Sequence, residues 1–484
     1  MRKIHLFASS LALLLVLGGA AVAQGKNVAL LGRFKKYSRY NDIWAYRAKN
    51  GKDYVLLGVS TGISVLDVSN PATPIERGFM AGTRGSSWRD VKVFGDYAYA
   101  VTENFLEGMM IIDLRNPDAP RLVKRWDPVG YRHAHNIAMD FKTGVAYLCG
   151  TSRGVVIIDI KTDPINPKVL AFYTLRYIHD LAIQDGFAHL ADQNGPIYRI
   201  LDISRLPTMI QLGMVRTPGS RVAHNTWPTV DNNYCLTTNE QAGGPVGIFD
   251  IKNKSAPRLV ATYRANPTTA PSALPHNAYV VDRVMSISYY TEGWRGVDIS
   301  DPTKPVEVGY YDTWSGASFG YNGNWGTLPA LRSGRVYASD ITSGLYILKP
   351  KATASYYGKG TAGTGGRLPR INAFGSGYLG NPNYRIEVSG AKPSSTAVLV
   401  IGGKSASVTV QSLNILVELV NPPAVVVPVP TSTTGKASLP SPVPLDTRLN
   451  GAVLYAQYFV LDRGSVSPIG LSASEGMKFE LFSK

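Results

Sequence analysis

Histidine is the residue type whose spacing in this sequence most clearly suggests chemistry. The 484-residue chain has only seven histidines, and four of them recur at intervals of 44 to 52 residues, each followed by Asn or Asp. These four are His135, His179, His224 and His276. Neutral imidazoles are common ligands of zinc and other divalent metals. If the fold brings the four together, they form a candidate metal site or ligand-binding site.

Acidic residues recur near the end of the predicted second strand in three of the four repeats that begin with histidine, and in two repeats that lack it. They are Glu103, Asp192, Glu240, Glu292 and Asp340. Catalytic zinc commonly takes three protein ligands and keeps one open position, which histidines and a carboxylate could supply. One hypothesis is therefore a metal-dependent hydrolase or lyase, with Glu240 or Glu292 as acid or base.

Aromatic and basic residues accompany the same positions, including Trp88 and Arg132. Aromatic faces beside hydrogen-bonding side chains suit sugar and peptide ligands, and the forked arginine side chain suits carboxylates. The leading hypothesis is therefore a binding module without catalysis. Its ligand, an envelope polysaccharide or a peptide, would contact the four histidines together with Glu240, Glu292, Trp88 and Arg132.

A structural role for the histidines is the third hypothesis. The position at or next to the start of each repeat is always Asp or Asn: Asp42, Asp90, Asn136, Asp180, Asn225, Asn277 and Asn324. A position that is filled in every repeat is typical of hydrogen bonds in turns or between neighbouring sheets. The histidines could extend such a network, and the sequence leaves the three hypotheses open.

The elements that must position these residues are repeats of 43 to 48 residues. Each carries a buried apolar run that ends in an aspartate, and these are Asp67, Asp113, Asp159, Asp202, Asp250 and Asp298. A repeat of this length with several short strands predicts an all-β fold, a seven-bladed β-propeller. We expect the repeating aspartates to accept hydrogen bonds from the backbone of the following turn.

Propeller topology predicts where the histidines lie. The innermost strand of each blade lines the central channel, so residues at its start surround one opening, and the antiparallel second strand returns to that opening. The seventh repeat, which begins near Asn324, lacks a fourth strand. Residues 27–37 have the pattern of a fourth strand and are predicted to close the ring, which removes an exposed sheet edge.

The repeats also resemble a known family. The segments GVVIID at 154–159 and SNPATP at 69–74 are similar to the repeat of LVIVD-repeat proteins, which include the choice-of-anchor B group of secreted bacterial proteins. The resemblance covers roughly residues 27–350. It implies a secreted or cell-surface β-propeller and brings no settled activity.

Composition predicts the remaining organisation. Residues 1–23 have the charged start, apolar centre and A-x-A ending of a secretory signal peptide, so we expect an exported protein. The propeller would span 24–350, a glycine-rich flexible linker 351–370, and a small C-terminal β-sandwich 371–484, where alternating stretches are separated by Gly, Pro and Ser.

Charge and cysteine content narrow the partners. The formal net charge is +16, but the basic residues are scattered and export argues against nucleic acid as a partner. No stretch of the mature chain is long and apolar enough for a membrane helix. The two cysteines, Cys149 and Cys235, fall in non-adjacent repeats, which disfavours a disulfide.

Overall fold

The computed structural model of the chain describes most of the sequence after the predicted signal peptide. The described residues are 24–83, 85–105, 107–128, 131, 133–174, 176–219, 221–329 and 332–484. The predicted signal peptide, residues 1–23, lies outside this range. The described part is all-β apart from two short 3-10 helices, Thr364–Gly366 and Thr447–Leu449, so the all-β prediction is confirmed.

Four antiparallel sheets of four strands follow one another in the first half of the chain. The first contains Tyr40–Arg47, Asp53–Val59, Gly62–Asp67 and Ile75–Ala81; the second contains Arg89–Phe94, Tyr97–Thr102, Met109–Asp113 and Arg121–Trp126. The third contains Asn136–Asp140, Val145–Thr151, Gly154–Asp159 and Lys168–Tyr173; the fourth contains Ile178–Gln184, Phe187–Asp192, Ile197–Arg205 and Thr208–Arg216. Within each sheet, strands adjacent in sequence are adjacent in space, which short turns favour.

Three further sheets continue the series within the described residues up to 350. The fifth contains Thr226–Pro228, Tyr234–Thr238, Val246–Asp250 and Arg258–Tyr263; the sixth contains Ala278–Val281, Val284–Ser288, Trp294–Asp298 and Val306–Tyr311, with Gly25–Lys26 at its outer edge. The seventh contains Asn324–Leu328, Val336–Asp340 and Gly344–Pro350, and its outer strand is Val28–Phe34. The second and third strands are buried almost throughout because sheets cover them on both faces.

The seven sheets form a closed ring. The first strand of each sheet packs beside the first strand of the next, and the first strand of the seventh packs beside Tyr40–Arg47 of the first. Val28–Phe34 pairs antiparallel with Gly344–Pro350, from Val28 opposite Pro350 to Phe34 opposite Leu345. The N-terminal strand therefore occupies the position that the sequence predicts for it and joins the two ends of the ring.

The outer strand of each of these sheets has a bulge, at which one residue is left out of the pairing register. In the N-terminal strand the shift falls between Leu30 and Gly32. A Cβ atom on Gly32 would lie 1.8 Å from the carbonyl oxygen of Pro71, in the turn before the outer strand of the first sheet. A Cβ on Gly78 would meet Pro120 of the second sheet in the same way, at 2.7 Å. Close approach of this kind requires glycine.

The repeating aspartates have the role that the sequence predicts. Each accepts a hydrogen bond from the backbone N–H two residues later, with donor–acceptor distances of 2.8 to 3.1 Å. Asp113 and Asp159 are examples, with Arg115 and Lys161 as donors. The prediction that these carboxylates stabilise turns is therefore confirmed.

Three of the Asp and Asn residues at the start of the repeats, Asp90, Asp180 and Asn225, connect neighbouring sheets near the axis. Asp90 accepts from the backbone N–H of Ile137 at 2.8 Å, and Asn225 accepts from that of Ala278 at 3.1 Å. The Nδ2 of Asn225 donates to Asp180 at 2.7 Å. These bonds satisfy buried polar groups and fix the position of each sheet along the channel axis relative to the next sheet.

A buried lysine neutralises part of this network. The Nζ of Lys92 donates to Asp90 and lies 3.3 Å from Asp42. Burial alone would lower the pKa of Lys92, but the two carboxylates more than offset it and raise the pKa above its usual value. Burial raises the pKa of Asp180, on the neighbouring side of the channel, to about 6, and the charge of Asp90 adds to the shift.

The C-terminal region contains three more sheets. One comprises Ser355–Tyr357, Gly476–Glu480, Val453–Leu461, Thr396–Gly402 and Val425–Pro430, with Leu471–Ala473 paired to Val453–Leu461. The others comprise Arg370–Phe374, Arg385–Ser389 and Ala437–Pro440, and the hairpin Ser405–Val410 with Leu413–Val417. The first two share one apolar core, in which Ile386 and Leu399 are fully buried.

Part of the segment 351–370, for which composition predicts a flexible linker, forms a strand. Ser355–Tyr357 pairs with Gly476–Glu480 as an edge strand of the C-terminal region. The hydroxyl of Tyr356 donates to Asp282 of the sixth sheet at 2.7 Å, and Arg332 lies 3.7 Å from the centre of the Tyr356 ring. Strand pairing and aromatic contacts order a segment whose composition indicates flexibility.

Two other sequence predictions concern single features. Cys149 and Cys235 are both buried free thiols. Among the residues described, we find no helix with the length and apolar character needed to cross a membrane.

Ring closure predicts a specific effect of a small substitution. Gly32→Ala places a methyl group against the backbone of Pro71, so we expect a loss of about 1–3 kcal/mol in the free energy of unfolding. Gly85→Ala is the matched control, because its nearest neighbour is an oxygen 4.0 Å from the added carbon. Urea denaturation measures both. Equal midpoints for the two variants would contradict the contact between the N-terminal strand and the first sheet.

The channel network predicts a dependence of stability on pH. Because the pKa of Asp180 rises on folding, the native state holds its proton more tightly, and stability falls as the pH rises from about 4 to 6. A change from 3.8 to about 6 corresponds to roughly 3 kcal/mol. We expect Asp180→Asn to remove this component in denaturation measured at several pH values. The exposed Asp185→Asn should keep it, and parallel curves for wild type and Asp180→Asn would contradict the burial of this charge.

Candidate ligand site at the histidine-bearing opening

One opening of the central channel collects residues that precede first strands and residues that follow second strands. A cavity of about 440 Å³ lies there. Its lining includes Trp88, Glu103, His135, Tyr177, His179, Glu240, Tyr290, Tyr321 and Trp325. We call this opening, together with the buried His224 and His276 beside Glu240, the histidine mouth. The histidine mouth arises because, in every sheet, the antiparallel second strand ends beside the start of the first strand.

The four predicted histidines form a row of adjacent rings. The ring centres of His135 and His179 are 4.2 Å apart, those of His179 and His224 are 4.2 Å apart, and those of His224 and His276 are 4.6 Å apart. Consecutive sheets contribute consecutive rings. The structure therefore brings together the four side chains that the sequence singles out.

Three of the histidines contact the backbone of the next sheet through Nδ1. His179 Nδ1 lies 3.1 Å from the carbonyl oxygen of His224, and His224 Nδ1 lies 3.1 Å from that of His276. His276 Nδ1 lies 2.6 Å from the carbonyl oxygen of Trp325. A carbonyl oxygen only accepts, so each Nδ1 carries the hydrogen. In a neutral ring this leaves the lone pair on Nε2.

Glu240 lies against the far nitrogens of two of these rings. Its Oε2 is 3.3 Å from His224 Nε2, and its Oε1 is 3.9 Å from His276 Nε2. The hydroxyl of Tyr290 donates to Oε1 of the same carboxylate. The ligand atoms of His224, Glu240 and His276 all lie within 4.8 Å of one another, in a group found among the described residues. Two imidazoles and a carboxylate are a donor set for zinc and for other first-row metals.

His135 is the exception in the row because it pairs with a different carboxylate. Its Nδ1 is 2.7 Å from Glu103 Oε1, which is a hydrogen-bond distance. The hydrogen bond from His135 lowers the pKa of Glu103 despite partial burial. One hydrogen bond joins His135 and Glu103, whereas Glu240 lies against two histidines.

Burial keeps the inner histidines neutral. Loss of solvation lowers the pKa of His179 and of His276 well below 6.5, and neighbouring imidazoles add to both shifts. Burial also lowers the pKa of His224, although Glu240 opposes this effect. Neutral imidazole is the form that binds metals and accepts hydrogen bonds.

Aromatic rings form the wall of the histidine mouth. The rings of Trp88 and Trp325 are 6.3 Å apart, and Tyr321 packs edge-on against Tyr290 at 5.4 Å. Trp88 is 42% exposed and Tyr321 is 58% exposed, so their faces are available to a ligand. The sequence predicts Trp88 at this site but does not indicate Trp325 or Tyr321. Trp325 directly follows Asn324, which occupies the position that is Asp or Asn in every repeat. This adjacency is the signal that could have identified Trp325.

Two other predicted residues have different outcomes. Glu292 was expected at the site, but its carboxylate is buried against Arg295 at 3.0 Å and also accepts from Asn266. The structure therefore places the Glu292 carboxylate against Arg295 of its own sheet and outside the lining of the cavity at the opening. Arg132 lies outside the described residues.

The other acidic residues at the ends of second strands are also structural. Asp192 is buried and forms an ion pair with Arg199 at 2.8 Å. Asp340 accepts from Thr313 at 2.7 Å and from backbone N–H groups of its own turn. Of the five acidic residues that the sequence places near this opening, Glu103 and Glu240 contact histidines.

Comparison with known proteins identifies the repeat. The model of the LVIVD repeat matches residues 51–81, 85–127, 176–217 and 296–313. These stretches fall in the first, second, fourth and sixth sheets. The chain matches no curated protein.

Among solved structures, the chain is similar to the β-propeller domain of Cps50 (Swd1) from Myceliophteria thermophila. The two are 10% identical, the match covers 66% of this chain and 99% of that one, and the TM-score is 0.48. The fold assignment rests on the ring of sheets described above. The protein is an all-β chain with a β-propeller fold that contains LVIVD repeats.

Proposed function

We propose that this protein is an exported binding module. In this proposal a seven-bladed β-propeller binds a ligand at the histidine mouth, and the C-terminal region is a β-sandwich that serves as an accessory or attachment domain. The closed ring of sheets and the shared core of the two C-terminal sheets support the architecture. A β-propeller with LVIVD repeats fits an interaction role, because the repeat residues form the fold and leave the openings free to vary.

The observation that carries the proposal is the composition of the mouth. Exposed faces of Trp88 and Tyr321 border a concave space that also presents the carboxylates of Glu103 and Glu240. Aromatic faces pack against the C–H faces of sugar rings, while carboxylates and imidazoles bind hydroxyl groups. The ligand that fits best is therefore a neutral segment of an envelope polysaccharide.

Other ligand classes fit this opening less well. The two carboxylates at the mouth would repel the phosphates of a nucleic acid, although the net charge of the chain is +16. A peptide is the next candidate, since it also offers apolar faces and hydrogen-bonding groups. The signal-peptide pattern at residues 1–23 supports export to a compartment where envelope polymers occur.

A metal-dependent hydrolase or lyase at the same opening is the second candidate. The grouping of His224, Glu240 and His276 favours it, because zinc with three protein ligands activates water or polarises a carbonyl group. Incubation of the protein with the saccharides that it binds, followed by analysis of the products, separates this candidate from the first. Cleaved products would support the enzyme, whereas unchanged saccharides would support the binding module.

The binding proposal predicts a specific loss of affinity. We expect Trp88→Ala to weaken saccharide binding by about tenfold or more, because it removes an exposed ring from the wall of the cavity. Phe141→Ala is the control, since this exposed ring stacks on Trp44 and borders cavities away from the histidine mouth. A glycan array that includes peptidoglycan fragments identifies the probe, and calorimetry then measures its affinity for each variant.

Two experimental results would contradict the binding proposal. An array without any bound glycan, for protein that gives a cooperative thermal transition, would contradict the saccharide proposal, and binding of arrayed peptides would favour the peptide instead. Equal loss of affinity in Trp88→Ala and Phe141→Ala would show that the ligand does not bind at the histidine mouth.

A further inference from the structure

We infer that His224, His276 and Glu240 bind a divalent transition-metal ion at the histidine mouth. This inference deepens the proposed function, on which it rests for the role of the ion, while its geometry stands on the three side chains themselves. It also narrows the metal prediction from the sequence, which names four histidines, to two histidines and one carboxylate.

The hydrogen bonds of the two histidines determine which nitrogen is available. Each ring donates its Nδ1 hydrogen to a backbone carbonyl oxygen, His224 to His276 and His276 to Trp325. The Nε2 lone pairs are therefore directed away from the backbone. Histidines that ligate metals commonly show this arrangement, in which a carbonyl or carboxylate fixes the ring through its other nitrogen.

The Nε2 lone pairs of His224 and His276 face the carboxylate of Glu240, which accepts few hydrogen bonds. Glu240 Oε2 lies 3.3 Å from His224 Nε2, and Oε1 lies 3.9 Å from His276 Nε2. The side chains of His224, His276 and Glu240 are 2%, 6% and 16% exposed, so water screens them poorly. Three electron-rich groups in a buried space repel one another unless a positive charge lies between them.

A single proton accounts for only part of this geometry. A proton between His224 and Glu240 would explain the separation of 3.3 Å. It would leave His276 Nε2 at 3.9 Å from the carboxylate, which is too long for a hydrogen bond. A cation among the three side chains would neutralise the Glu240 carboxylate and accept the Nε2 lone pairs of both histidines.

The separation between His224 and Glu240 matches a coordination shell, and the separation of 3.9 Å between His276 and Glu240 is longer. Zinc lies about 2.0–2.2 Å from nitrogen and oxygen ligands in a tetrahedron, so its ligand atoms are roughly 3.3–3.5 Å from one another. The three ligand atoms here are all within 4.8 Å of one another, and the pair His224–Glu240 is at 3.3 Å. Small rotations of the side chains would complete the shell.

The surroundings hold the ligands in place. The Tyr290 hydroxyl donates to Glu240 Oε1, and the Thr238 hydroxyl donates to the carbonyl oxygen of His276 at 2.6 Å. Because Glu240 also lines the cavity, an ion bound here would be reached from the mouth. An open position on such an ion would bind a hydroxyl group of the ligand or a water molecule.

The neighbouring histidines lack this combination. His135 and Glu103 approach to 2.7 Å, which one hydrogen explains. His179 packs beside His224 with ring centres 4.2 Å apart but lies outside the group of ligand atoms within 4.8 Å. The donor set of two imidazoles and one carboxylate suits zinc, and also cobalt as a spectroscopic substitute.

Zinc titration of the full chain tests the inference. After removal of metals with a chelator, we expect calorimetry to show one Zn²⁺ per chain, and Co²⁺ to give the visible absorption of a low-coordinate site. Glu240→Gln keeps the size of the side chain and can still accept from Tyr290, but it loses the anionic ligand. We expect it to weaken zinc binding at least about 100-fold.

Two further variants make the result specific. Glu103→Gln removes the other histidine-paired carboxylate of the mouth and should keep the zinc affinity of the wild type. His276→Asn keeps a hydrogen-bond donor in the position of Nδ1 but lacks Nε2, so it should also lose zinc binding. It replaces Glu240→Gln as the test if that variant fails to fold. Thermal unfolding verifies that each variant is folded. Failure of the wild type to bind zinc, or equal losses in Glu103→Gln and Glu240→Gln, would overturn the inference.

The saccharide measurements separate this inference from the proposed function. Wild-type protein that binds saccharide but no zinc would overturn the metal site alone. Protein that binds zinc but no arrayed ligand would overturn the proposed function and leave the metal site standing.

Discussion

The hydrogen bonds between neighbouring sheets near the axis are the constraint on which the rest of the structure depends. Asn225 accepts from the backbone of the sixth sheet and donates to Asp180 of the fourth, so three sheets are held at one height. His224 is the residue immediately before Asn225, and its ring is therefore held at a fixed height as well. The separations of 4.2 to 4.6 Å between successive imidazoles follow from this register. Residues of the structural network and residues of the candidate site are thus consecutive in the sequence, as His224 and Asn225 are.

The sequence predicts those features that follow from repetition. The period, the apolar runs and the aspartate turns indicate an all-β repeat fold, and topology then predicts that residues equivalent to His179 in other repeats meet at one opening. The direction of a side chain in an irregular turn has no such periodicity. Glu240 and Glu292 occupy equivalent places after their second strands, yet Glu240 contacts His224 and Glu292 contacts Arg295. Only the conformation of each turn decides between them.

Composition was a poor guide where tertiary contacts dominate. The segment 351–370 is rich in Gly, Ala and Thr, which indicates a flexible linker, but three of its residues pair in a sheet with residues 119 to 123 positions later in the chain, from Tyr357 with Gly476 to Ser355 with Lys478. The edge of that sheet would otherwise be unpaired, and pairing satisfies its backbone groups. The contact of Tyr356 with Asp282 then joins the C-terminal region to the sixth sheet. The local sequence does not indicate Asp282 as the partner of Tyr356.

The channel contains two groups of buried polar side chains that differ in one physical respect. In the first, Lys92 lies beside Asp42 and Asp90, so a positive charge of the chain itself offsets one of the two carboxylates, and burial raises the pKa of Asp42 well above its usual value. In the second, Glu240 faces two imidazoles whose Nδ1 hydrogens point to backbone carbonyl oxygens, and it accepts from the Tyr290 hydroxyl. Buried charges persist in folded proteins when they are paired. The first group thus contains a cation of the chain, whereas the described residues place no Lys or Arg in an ion pair with Glu240 of the second group, and there the inferred metal ion would supply the positive charge.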